Sequence, residues 1–136
     1  MNHADQNVGV TTEDWLRALE LDPWATVAAY YATCLPLHEK PRQAARQRWQ
    51  LSDGQLIEQQ IGYADRSLGS MVPHRRLKQG LRIRELLEAT GLYKDNGRET
   101  LRGCVTRPVY AANSGQLLGI EAWPVDPNAE FPERIW

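Results

Sequence analysis

Arg42, Arg46 and Arg48 fall within two turns of one predicted helix, with Trp49 beside them. Arg75, Arg76, Lys78, Arg82 and Arg84 form a second basic cluster. A guanidinium grips a phosphate through two parallel hydrogen bonds, and an exposed aromatic ring stacks on an unpaired base. These residue types in this pattern point to a polyanion. Against that stand a plainly solvated surface for the arginines and a core position for Trp49.

Other chemistries find little support. Cys34 and His38 are spaced as half of a zinc site, but Cys104, His3 and His74 are too scattered to supply the other half. Cys34 is expected in a helix core instead. Ser67-Leu68-Gly69-Ser70 has no accompanying nucleophile arrangement, and no Gly-x-x-x-x-Gly-Lys loop occurs. Two-cation phosphoryl transfer needs clustered carboxylates, and the adjacent pair Glu13-Asp14 suits a helix N-terminus better. The chain is therefore expected to bind rather than catalyse, and no metal or cofactor is implied for it.

The overall charge of −1 hides a segregation. Residues 1–39 hold one arginine against six acids, net −5; residues 40–107 hold 14 bases against 7 acids, net +7; residues 108–136 are net −3. A basic middle between acidic ends fits a polyanionic partner, or a surface whose ends neutralise its centre. With 136 residues, two cysteines, no long apolar run and no secretion-type N-terminus, one reduced cytoplasmic domain without a membrane segment is expected.

The elements that must position these residues follow from caps and spacing. Residues 1–10 are expected to be disordered. Thr12 precedes Glu13-Asp14 and a helix to about Leu21 that buries Trp15, Leu16 and Leu19. Asp22-Pro23 starts a second helix, with Trp24, Val27, Ala28, Tyr31 and Leu35 on one face. Pro41 opens a third, running from Arg42 to about Gln50, and Ser52-Asp53 caps a short fourth carrying Leu56 and Ile57. Ile61-Gly62-Tyr63-Ala64 forms an apolar link. A helix from about Arg82 to Thr90 buries Ile83, Leu86 and Leu87 and stops at Gly91 in a left-handed conformation. Asn96-Gly97 marks a hairpin turn, Val105–Tyr110 and Gln116–Trp123 pair as strands, and Pro108 calls for an edge or a bulge. The prediction is an α+β domain over 11–123, a helical array followed by an antiparallel hairpin, with 124–136 as a Pro-rich tail or linker.

Two stretches resemble the N-terminal part of the catalytic core of bacterial replicative DNA primases, which lies between their zinc ribbon and Toprim domain. One runs from Leu51-Ser52-Asp53 through Ile57 to Ile61-Gly62-Tyr63-Ala64. The other runs from Leu92-Tyr93-Lys94-Asp95-Asn96-Gly97-Arg98 through Leu101-Arg102-Gly103-Cys104-Val105-Thr106-Arg107-Pro108-Val109-Tyr110 to Asn113-Ser114-Gly115-Gln116-Leu117-Leu118-Gly119-Ile120. The match spans about residues 27–123. The resemblance implies an α+β subdomain in DNA replication whose basic surface guides single-stranded template, with magnesium and nucleotides bound mainly on the Toprim domain. It also implies a replication partner, such as a helicase or a Toprim-containing protein. Arg102 fits the family's first arginine, but the second is Cys104, and the family's Gly-Gly-Arg becomes Glu121-Ala122-Trp123. Neither zinc ribbon nor Toprim carboxylates occur in these residues, so an excised or derived non-catalytic piece is expected.

The expected nucleic-acid contacts are Arg42, Arg46, Arg48, Arg75, Arg76, Lys78, Arg82, Arg102 and Arg107, converging on a shared groove. Two alternatives stand beside this reading. Ile61-Gly62-Tyr63-Ala64-Asp65-Arg66-Ser67 is similar to the second helix-turn-helix of AraC-type regulators, which would lay a recognition helix over Arg66–Val72 in duplex DNA. The other is a protein-interaction module docked through the acidic ends.

Overall fold

Asp22 ends one helix and begins the next. Its side chain accepts from the Ala25 backbone N–H at 3.1 Å, and Pro23 occupies the first helical position, where its missing N–H costs nothing. In the computed structural model, which describes residues 12–73, 76–126, 128 and 134–135, this boundary separates α1 (Thr12–Leu21) from α2 (Pro23–Cys34). A 3-10 turn at Leu35–Leu37 leads to α3 (Glu39–Trp49), which closes on Gln50 in the left-handed conformation. Ser52 then caps α4 (Asp53–Glu58) in a capping box with Gln55.

The chain next enters β1 (Gly62–Tyr63), a 3-10 turn at Leu68–Met71 and α5 (Lys78–Thr90), which stops at Gly91 with φ 88°. β2 (Cys104–Tyr110), β3 (Leu117–Pro124) and β4 (Arg134–Ile135) follow, giving an antiparallel sheet of order β1-β2-β3-β4. The fold is α+β, as the pattern of elements predicts.

Period-two alternation puts two sets of helices on the sheet. Cys104, Ile120 and Ala122 face a core with Leu16 and Leu19 of α1, Val27 and Tyr31 of α2, and Ile83 and Leu87 of α5. Val105 faces the other way, into a smaller core of Leu35, Ala45, Leu56 and Ile61 edged by Trp49 and Trp123. Trp49 is thus half-buried, at the margin of the second core, and Cys34 is buried.

Several local expectations change. The Ile61–Ala64 link contains strand β1, too short to show a period. Its residues Gly62 and Tyr63 pair with Thr106 and Val105. Pro108 lies on β2 beyond the reach of β1, where no ladder bond is asked of its nitrogen on that side, and the register shifts just after it, between Val109 and Tyr110. α5 begins a turn earlier than Arg82, because Gly80 is buried inside the helix rather than marking a loop. Arg134–Ile135 pairs with Ile120 and Glu121 at the sheet edge, within the stretch whose prolines suggested a tail.

The recognition helix of the AraC-type reading does not form. Asp65 Oδ1 accepts from the Ser67 N–H at 3.1 Å, a side-chain-closed turn that holds Arg66 at φ 74°, and only the four-residue 3-10 turn follows. The expectation for residues 1–10 lies outside the described residues, as do His74 and Arg75. Among the described residues no helix is long and apolar enough to cross a membrane.

Candidate nucleic-acid interface

The described contact residues are distributed over four places. On α3, Arg42 pairs with Glu39, and Arg46 donates to Asp53 of α4 at 2.7 Å. Around the corner, Arg48 lies 3.3 Å from the centroid of the Trp123 ring, and Arg107 of β2 donates to Glu121 at 2.8 Å while lying 5.4 Å from the Trp49 ring centroid. At the start of α5, Lys78 and Arg82 line a separate shallow groove with Glu85, and Arg82 pairs with Glu20 of α1 at 2.8 Å. Arg76 is exposed just ahead of that helix, and Arg75 lies outside the described residues. Arg102 sits elsewhere. Among the described residues of the nine, no shared groove is formed. The acidic ends partly neutralise the middle, through Glu20 and Glu121.

What the fold does bring together is an open cleft of about 500 Å³ around Arg66, Arg84, Arg98, Arg102, Tyr93 and Glu99. Each arginine arrives on a different device. Arg66 is the left-handed residue of the turn that Asp65 closes, and Asp65 is anchored in turn by His38 Nε2 at 3.0 Å. Burial alone would raise the Asp65 carboxyl, but its bonds from Ser67 and His38 hold it below the usual carboxylate range.

Arg84 lies one turn after Gly80 and one turn before Leu87, both buried, so α5 carries it along its packed side. Its Nε is buried without a hydrogen-bond partner among the described residues. Arg98 closes the tight turn that Asn96-Gly97 announces: the Lys94 N–H donates to the Arg98 carbonyl at 2.8 Å, and Gly97 takes φ 84°. Arg102 rides the next turn, which is tied to the end of β1 by the Gly103 N–H donating to the Ala64 carbonyl at 2.8 Å.

Glu99 is 8% exposed at the base of this cleft, paired across an isolated bridge with Tyr93. Tyr31 of α2 donates its hydroxyl proton to Glu99 Oε2 at 2.6 Å. Burial raises the Glu99 carboxyl above the ordinary glutamate value, against the lowering effects of the Tyr31 bond and of Arg102 and Arg66. Four guanidiniums around an open, polar-floored cleft can donate hydrogen bonds to phosphate oxygens. Arg102 was expected as a contact and Arg84 was legible as part of a cluster. Arg66 enters the sequence reading only through the AraC-type alternative, and Arg98 only through the primase-like stretch and its Asn96-Gly97 turn.

Nucleophilic roles for the cysteines are disfavoured, since burial pushes the Cys104 thiol up to about 12 and raises that of Cys34. Among the described residues no group of three His, Cys, Asp or Glu side chains is placed to hold a metal.

The network at Trp123 is structural. Glu121 accepts from Trp123 Nε1 at 2.7 Å, Arg107 at 2.8 Å and Trp49 Nε1 at 3.4 Å. Burial alone would raise this carboxyl, but the three donors together hold it below the usual range. A depressed carboxylate stabilises the fold above its unfolded-state pKa, and that contribution is lost as pH falls through the folded value. Glu121→Gln is expected to cost about 1 kcal/mol at neutral pH. The gap to wild type should close as urea-melt midpoints are taken from neutral pH into the acid range; a gap that stays constant with pH would remove the charge from this account.

No family model matches the chain, and no curated protein matches it. Solved structures do. A DnaG primase catalytic domain bound to ssDNA superposes with a TM-score of 0.57 at 20% identity, over 91% of this chain and 39% of that one. A DnaG catalytic core gives a TM-score of 0.58 at 19% identity, over 92% and 37%. The chain thus spans under two fifths of the length of these neighbours, and what it shares with them is a primase-like fold.

Proposed function

From a fold held in common with DnaG catalytic cores, we propose that this chain is a DNA-binding domain of replication that holds single-stranded DNA without polymerising chemistry of its own. The observation that carries the reading is the convergence of Arg66, Arg84, Arg98 and Arg102 on one open cleft. One of the two solved neighbours is itself bound to single-stranded DNA, which supports that choice of ligand. Phosphates seat on the guanidiniums through charge-assisted hydrogen bonds, while the bases face solvent or a partner. A Toprim-containing protein or a helicase would then supply the catalytic or unwinding step that this chain lacks.

Titration of a short fluorescent oligothymidylate by polarisation tests this, with a duplex of the same length as comparison. Micromolar single-strand binding is expected, falling with salt at a log–log slope of about −3 for four neutralised phosphates. Absence of binding at low salt, or equal affinity for the duplex, overturns the single-strand reading.

A further inference from the structure

Glu99 is a carboxylic acid placed at the floor of a cleft whose walls are cationic. The groups that face it are Tyr31 from α2, Asp65 and Arg66 from the turn after β1, Arg84 from α5, Tyr93 across the bridge, and Arg98 and Arg102 from its own loop. Packing alone does not call for a carboxylate there. A glutamine would still accept the Tyr31 hydroxyl proton through its amide oxygen, by a weaker neutral bond, and would remove the cost of burying a charge. What the carboxylate brings that the amide lacks is a negative charge among the arginines; the amide presents an NH2 donor in its place.

Resting on the nucleic-acid reading above, we propose that Glu99 is the internal counter-ion of the cleft, a positioning residue that restrains its grip on phosphate, so that neutralising this one carboxyl tightens DNA binding. When charged, Glu99 competes with phosphate for the guanidiniums and repels the incoming anion. When protonated, it leaves them to the ligand. Because burial already raises this carboxyl, an approaching phosphate favours the protonated form further, and binding is expected to take up a proton.

The same polarisation titration tests this on the full chain and on Glu99→Gln. About five-fold tighter binding is expected for the glutamine variant, the effect of one unit charge several Å from the phosphate at intermediate dielectric. The exposed carboxylate Glu58 of α4 supplies the control: Glu58→Gln removes the same charge from the surface and is expected to leave affinity unchanged. Lowering the pH from about 8 to about 5.5 should tighten wild-type binding, and the dependence should flatten in Glu99→Gln.

Equal affinity of wild type and Glu99→Gln, with the same pH dependence, overturns the counter-ion role while leaving DNA binding intact. Failure of the wild type to bind at all removes both readings. If the variant melts early, the wild-type pH series decides alone, and affinity independent of pH across that range overturns the proposal.

Discussion

Gly62→Ala is expected to cost about 3 kcal/mol of stability, at the upper end of what overpacking a core costs, and to lower the melting temperature by roughly 10 °C. A Cβ at this position would stand 2.6 Å from the Tyr31 carbonyl carbon, 2.7 Å from Tyr31 Cβ and 2.8 Å from the Ala32 nitrogen. These atoms belong to the α2 backbone or hang directly from it, so no side chain can swing away. Relief requires β1 and α2 to part, yet β1 is fixed by its pairing to β2 and α2 by the buried Tyr31. The same methyl group elsewhere should behave differently. Gly54, inside α4, has nothing nearer than Ser52 Oγ at 4.0 Å, and Gly54→Ala is expected to be neutral or to stabilise by up to about 1 kcal/mol through helix propensity. Thermal melts of the two variants check this pair. Gly62→Ala melting within a degree or two of wild type would show that β1 and α2 are not locked together. Since Tyr31 also donates to Glu99, parting β1 from α2 disturbs the base of the arginine cleft as well.

The helices were legible because their signals are local. Asp22-Pro23, the Ser52 cap and Gly91 each act through hydrogen bonds or φ values within a few residues, and all three operate as their sequence implies. β1 was not legible, since two residues show no period and its pairing partner lies about forty positions away. The Gly62 contact that holds it is equally non-local. The arginine cleft fails to show for the same reason. Arg82 and Arg84 look like one cluster along the chain, but two residues turn a helix by about 200°. Arg82 therefore reaches Glu20 while Arg84 reaches the cleft. Glu99 offers no local sign of burial at all: its neighbours are a turn, and its low exposure is set by Tyr31 and Tyr93.

Removing two walls of the cleft together, Arg84→Ala with Arg98→Ala, is expected to weaken single-stranded DNA binding about hundredfold and to reduce the magnitude of the salt slope by about 1.4. Two charge-assisted hydrogen bonds at roughly 1.5 kcal/mol each give that factor, and each lost phosphate contact takes a comparable step from the slope. The pair comes from separate elements, α5 and the Lys94–Arg98 turn, so its loss tests the convergence rather than one helix. The comparison that gives the result meaning is Arg42→Ala with Arg46→Ala, which removes as much positive charge from a surface where Glu39 and Asp53 already hold both side chains. An incoming phosphate must displace those carboxylates, so a change of at most about threefold is expected there. Lys78→Ala with Arg82→Ala forms a second comparison, on the groove that Glu20 and Glu85 partly neutralise. Melting each variant separates lost affinity from lost fold. Equal losses in all three pairs would mean that DNA responds only to net charge. A large loss confined to the α3 pair would move the binding surface to the face carrying Trp49 and Trp123, where Arg48 and Arg107 already lie against the indoles and Glu121 would be the carboxylate a phosphate has to displace.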